Sequence, residues 1–118
     1  MIRECYKLIQ EIAVALDPFC IHPGCNNPSV VGHHLFKRDR MATAFHVECV
    51  KGLCDQHHKV AHADPNGFTG YMIGKIGPRY DELLRLSHTV VKNIDFKKER
   101  DKLKFILQSI RKNGSDDQ

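Results

Sequence analysis

Between Ile2 and Leu16 apolar side chains return at the three- and four-residue spacing of a helix. Ile2, Tyr6, Ile9, Ala13 and Leu16 share one stripe, which Leu8 and Ile12 widen, and Asp17-Pro18 ends the run. Phe19 to Ser29 is polar and turn-rich, with Cys20 and Cys25 on either side of Pro23-Gly24. Val30 to Phe36 predicts a short strand and Lys37-Arg38-Asp39-Arg40 a basic loop. Thr43 to Leu53 predicts a second strand, giving an antiparallel hairpin with a long connection. Helical spacing resumes from Cys54 to about His62, with Asp64-Pro65-Asn66-Gly67 as its stop signal. Phe68, Tyr71, Met72 and Ile76 predict another helix, ending at Gly77-Pro78. A further helix over 78–87 buries Tyr80, Leu83, Leu84 and Leu86. Asp95 reads as the N-cap of a last helix with Phe96, Leu103, Ile106, Leu107 and Ile110 on its apolar face, before a polar tail over 113–118.

The expected fold class is therefore α+β, mainly helical, in a single domain over 1–118. Residues 1–17 form the N-terminal helix, 20–62 carry the chemistry-bearing segment, and 67–112 form the C-terminal helices. No run of about 18 apolar residues exists to span a membrane. Glu4, Lys7, Gln10 and Glu11 interrupt the first apolar run and no small-residue cleavage site follows, so a cytoplasmic location is expected. The net charge of +4 permits a polyanionic partner without demanding one.

Five cysteines and eight histidines in a chain this short change the picture. An odd cysteine count without an export signal argues against a disulfide scaffold, and cysteines clustered with histidines point to metal. Cys20, Cys25, Cys54 and His57 suit one tetrahedral structural zinc. The first pair is presented by a turn, and the second by the start of a helix, where residues three apart share a face. His22, inside the turn, is a competing ligand. His58 and His62 share a helix face and can chelate a second ion. His33 and His34 are neighbours on a strand and point to opposite sides, so one would bind that ion and the other be free to act as a base. Surface histidines and unliganded buried cysteines are the plain alternatives.

The string Cys20-x4-Cys25, Val31-Gly32-His33-His34, Leu53-Cys54-x2-His57-His58-x3-His62 resembles the HNH (ββα-metal, His-Me finger) endonuclease motif with its zinc knuckle. It looks most like phage recombination nucleases of the NinG/Rap and Ref types, with a weaker likeness continuing to about residue 86. The resemblance implies a metal-dependent DNA endonuclease with His34 as general base and His33, His58 and His62 as ligands of a catalytic divalent metal. Imidazole ligands favour zinc, nickel or manganese, while substrate phosphate oxygens would let magnesium serve. The family's middle asparagine falls on Cys49 here. The nearest polar substitutes are His46 and Glu48; a ring N–H of His46 could orient His34, with a bland surface histidine as the alternative. A phage-encoded nuclease would work in the bacterial host cytosol, as monomer or homodimer, and a recombinase or replication protein becomes a conceivable partner.

Lys37, Arg38 and Arg40 follow the histidine pair and are expected to clamp DNA phosphates. The cations near and along the last helix are diluted by Glu99 and Asp101 and read as an exposed face. The chief rival is a zinc-stapled nucleic-acid-binding module without catalysis, in which only the Cys3His set would matter.

Overall fold

The computed structural model describes residues 1–116, with side chains through Asn113. Helix α1 (Ile2–Leu16) is followed by strand β1 (Val31–His34), a one-turn helix α2 (Met41–Ala44) and a 3-10 turn over Val47–Cys49. Strand β2 (Val50–Leu53) and four helices complete the chain: α3 (Asp55–Ala63), α4 (Pro65–Ile76), α5 (Arg79–Ser87) and α6 (Phe96–Asp116). The fold is α+β and mainly helical, as the hydrophobic pattern indicates.

The main core lies where α1 runs along α6. Cys5, Ile9, Ile12 and Ala13 meet Leu103 and Leu107 there, with Phe45 and Val50 closing the end. Ile2 and Leu16, expected on the buried stripe, are 40% and 48% exposed. The buried line passes through Cys5 instead, because α6 begins against that residue and the Phe96 carbonyl accepts its thiol at 3.5 Å. A second, smaller core gathers Cys20, Leu53, Cys54 and Ala61, flanked by Ile21, Val31 and Phe68.

The sheet has two strands. β1 pairs antiparallel with β2 in the register Val31↔Leu53, Gly32↔Gly52, His33↔Lys51, His34↔Val50. The paired glycines are there for room. A Cβ on Gly32 would stand 2.9 Å from both Ala13 Cβ and Val50 Cγ1, and one on Gly52 would stand 2.7 Å from the Asp17 carbonyl oxygen. Gly32 thus lets α1 lie directly against β1. Gln10 takes advantage of that closeness: its Nε2 donates to the Gly32 carbonyl at 2.7 Å and its Oε1 accepts the Gly32 amide at 2.6 Å. The side chain replaces a missing third strand and satisfies an edge that would otherwise offer itself to other chains.

Three expectations are corrected. The segment 43–53 is not one strand, because β1 offers only four residues to pair with. The Leu35 amide donates to the Cys49 carbonyl at 2.8 Å where the ladder ends, and the residues before it turn inward to bury Thr43, Ala44 and Phe45. Asp64-Pro65-Asn66-Gly67 ends α3 but is also the start of α4. Asp64 Oδ1 accepts the Gly67 amide at 3.1 Å, and Pro65 occupies the first turn, where its missing N–H costs nothing. The last helix, expected to stop near 112, continues to Asp116; of the tail over 113–118, residues 117 and 118 lie outside the described part. Its start is as read, with Asp95 Oδ1 accepting the Lys98 amide at 3.1 Å. Among the described residues no helix is long and apolar enough to cross a membrane.

Candidate metal centres and an adjoining cleft

Cys20 and Cys25 lie in the turn-rich segment that the Phe19↔Pro28 bridge folds back on itself. Cys54 follows β2 directly and is the N-cap of α3, its sulfur accepting the His57 amide at 3.4 Å. Hydrogen bonding from that amide holds the Cys54 thiol below its ordinary value, which favours the thiolate a metal needs, while burial pushes the Cys20 thiol up. Cys25 Sγ is 3.9 Å from Cys54 Sγ, and His57 Nδ1 is 3.2 Å from Cys54 Sγ and 3.5 Å from Cys20 Sγ. A tetrahedron with Zn–S of about 2.3 Å and Zn–N of about 2.0 Å has S···S edges near 3.8 Å and S···N edges near 3.5 Å. The four ligand atoms, all within 4.8 Å of one another, fit such an ion. This Cys3His group can hold a structural metal. His22 is outside it: its ring stacks on His57, with centroids 3.9 Å apart and planes 9° from parallel.

The second group is built from β1 and α3. His33, His58 and His62 bring one nitrogen each within 4.8 Å of the others. One turn of helix aligns His58 with His62, whose Nε2 atoms stand 2.9 Å apart, a spacing at which they must share either a proton or a cation. Phe68 of α4, which also lines the cleft, meets His33 edge-on with ring centroids 4.8 Å apart. Burial, then the imidazoles of His62, His58 and His34, push His33 down to about 4. Burial and His62 also lower His58. Three imidazoles with a ligand nitrogen each in mutual reach could hold one metal ion.

His34, on the other face of β1, does not join them. Its Nε2 is 2.9 Å from the Ala44 carbonyl, which can only accept, so Nε2 carries the proton and Nδ1 keeps its lone pair. Burial lowers its pKa, partly opposed by that hydrogen bond and assisted by Arg38.

A cleft of 610 Å³ runs past both His33 and His34, with His58 and His62 on one wall and Lys37 and Arg38 on its rim. Among the described residues no Asp or Glu lines this cleft, so it favours an anionic ligand. Arg40, grouped with Lys37 and Arg38 from sequence, is not on the rim. It precedes α2, and its Nη1 donates to Ser87 Oγ at 3.2 Å, tying α2 to α5. His46 is likewise elsewhere. Its Nδ1 accepts the Glu48 amide at 3.2 Å as the cap of the 3-10 turn, and it lines a separate cavity with Phe45, Lys98 and Lys102. What fixes His34 is the Ala44 carbonyl, a backbone group that no side-chain pattern could announce. Cys49, at the position of the expected asparagine, is buried, and burial pushes its thiol up to about 11. Sequence reasoning also missed Tyr6, Lys7 and Gln10, which line the cleft from α1, because nothing in a helical stripe says which loop its polar flank will face.

Comparison with protein-family models, with characterised proteins and with solved structures yields no match to this chain. Its function must be argued from the geometry above.

Proposed function

We propose that the chain is a metal-dependent DNA endonuclease with a ββα-metal centre formed by β1, β2 and α3. The observation that carries this reading is the convergence of His33, His58 and His62 beside a free His34 Nδ1, in a cleft rimmed by cations and, among the described residues, lined by no carboxylate. The motif resemblance assigns the same four residues to the same roles.

A divalent ion held by the three imidazoles would supply positive charge to the phosphate and to the leaving 3′-oxygen. The chain's own residues do the rest. His34, neutral at physiological pH, takes a proton from water onto Nδ1 while its Nε2–H stays on the Ala44 carbonyl, so the ring need not reorient as it charges. Lys37 and Arg38 bind phosphate oxygens next to the scissile bond. Phe68, on the cleft wall, packs edge-on against His33 and holds its ring in place. The Cys3His group would hold zinc and brace the strand-to-helix junction without touching substrate. The expected products carry 5′-phosphate and 3′-hydroxyl ends. A recombinase or replication-protein partner, and action as monomer or dimer, belong to the same proposal through the phage-nuclease resemblance alone.

The test is plasmid DNA incubated with a series of Mg²⁺, Mn²⁺, Ni²⁺ and Zn²⁺, with and without chelator. Metal-dependent nicking that His34→Ala abolishes is expected. DNA binding with no cleavage under any metal would favour the non-catalytic zinc-stapled module.

A further inference from the structure

The cleft has a wall that the metal-binding segment does not provide. Tyr6, Lys7 and Gln10 reach it from α1, a helix outside the 20–62 motif. Their presence there follows from packing: Gly32 removes the Cβ that would hold the helix off β1, and Gln10 fastens the two together at both polar atoms of Gly32. Tyr6 is tied to the basic loop twice. Its hydroxyl donates to the Arg38 carbonyl at 2.7 Å, and the Arg38 guanidinium lies 4.5 Å above its ring. Tyr6 also meets Phe45 edge-on at 4.9 Å, so the platform under Arg38 is anchored in the main core. Lys7, one residue on, is exposed and makes no ion pair among the described residues. Lys37 is in the same state. Cations on two separate elements, unpaired among the described residues, therefore border one cleft that no described carboxylate lines.

We infer that α1 is a second phosphate-gripping jaw: Lys7 binds the nucleic-acid backbone from α1, an element separate from the loop that carries Lys37, and Tyr6 is a positioning residue that presents Arg38. This rests on the proposed phosphodiester substrate and extends the substrate track beyond the motif. A lysine on a phosphate acts as a point charge and displaces condensed counterions. Its loss weakens binding of all sequences alike and lowers the slope of log K against log salt by about 1. Tyr6 contributes no charge, so its removal should act only through Arg38.

The experiment measures binding of a fluorescent duplex oligonucleotide across a salt series. The background is His34→Ala, so that the DNA is not consumed, and cleavage is assayed in the His34-containing protein. Lys7→Ala should weaken binding about 5- to 10-fold at low salt and lower the slope by about 1, with metal content unchanged. Lys104→Ala, an exposed lysine on α6, should alter neither. Tyr6→Leu should reproduce the slope loss of Arg38→Ala, the double variant should lose no more than either, and Tyr6→Phe, which keeps the ring beneath the guanidinium, should restore most of it. If Lys7→Ala behaves like Lys104→Ala while the protein still cuts plasmid, the jaw is wrong and the nuclease reading stands. If the slope pattern holds but no metal supports cleavage, the jaw stands and the hydrolytic reading falls. Absence of any salt-dependent DNA binding overturns both.

Discussion

The two histidine-bearing clusters are neighbours along one helix yet differ in almost every property that decides what a metal can do. In the knuckle, three sulfurs and His57 close a tetrahedron, with Cys20 and Cys54 buried and His22 stacked over the imidazole. The other cluster offers three uncharged nitrogens, leaves His62 exposed and opens on a 610 Å³ cleft. Thiolates neutralise a divalent charge and a fourth ligand excludes substrate, so the first arrangement stabilises a fold. Neutral ligands leave the full charge to act on a phosphate, and missing ligands leave room for it, so the second is suited to chemistry. Ligand number and ligand charge separate the two roles.

The sharpest way to break this contrast is to remove His34, the proposed base beside the second cluster. His34→Ala should lower plasmid cleavage by about 10²–10⁴-fold, with metal content and thermal midpoint nearly unchanged. Wild-type cleavage by that variant would remove His34 from the mechanism. Next in size, Cys54→Ser should cost the knuckle its metal and lower the midpoint by roughly 10 °C or more, a loss on the order of 3 kcal/mol for a chain of this size. Elemental analysis showing undiminished metal would dissolve the distinction between the sites. His62→Ala should do the converse, removing the second metal equivalent and the cleavage while shifting the midpoint by only about 3 °C, because the side chain is exposed.

The pH response should also tell the clusters apart. His33, held down to about 4, stays neutral in the folded metal-free centre while the unfolded chain takes up a proton near pH 6.5. Stability from this group is therefore complete above about 6.5 and is lost as pH falls toward about 4. Thermal melts across that window should show a slope that His33→Gln flattens. The smallest expected effect is that of His22→Ala, which strips the ring stacked on His57. It should speed release of the knuckle's metal to a chelating dye by about 10-fold at most, with cleavage unaltered.

How much of this was legible in the sequence follows from how local each feature is. Cys20-x4-Cys25, Cys54-x2-His57 and His58-x3-His62 are spacings, and a turn or a helix start converts spacing into geometry with little help from the rest of the fold. The split of His33 from His34 followed from strand alternation alone. The stretch from Thr43 to Leu53 failed because its β-prone composition carries no record of how short its partner strand is. Arg40 and Lys37 look alike in a basic run, and only the packing of α5 decides that Arg40 turns to Ser87. The wall supplied by Tyr6 and Lys7 depends on a glycine more than twenty positions away, a dependence no local pattern contains.

His57 and His58 are adjacent on α3 yet serve different clusters. Successive residues of an α-helix are rotated by about 100°, so one short rod sets the angle between the two cation positions. Insertion of a single codon between His57 and His58 would keep every ligand in the chain but swing His58 and His62 away from His33. This turn of helix should therefore accept substitutions far more readily than any change in length.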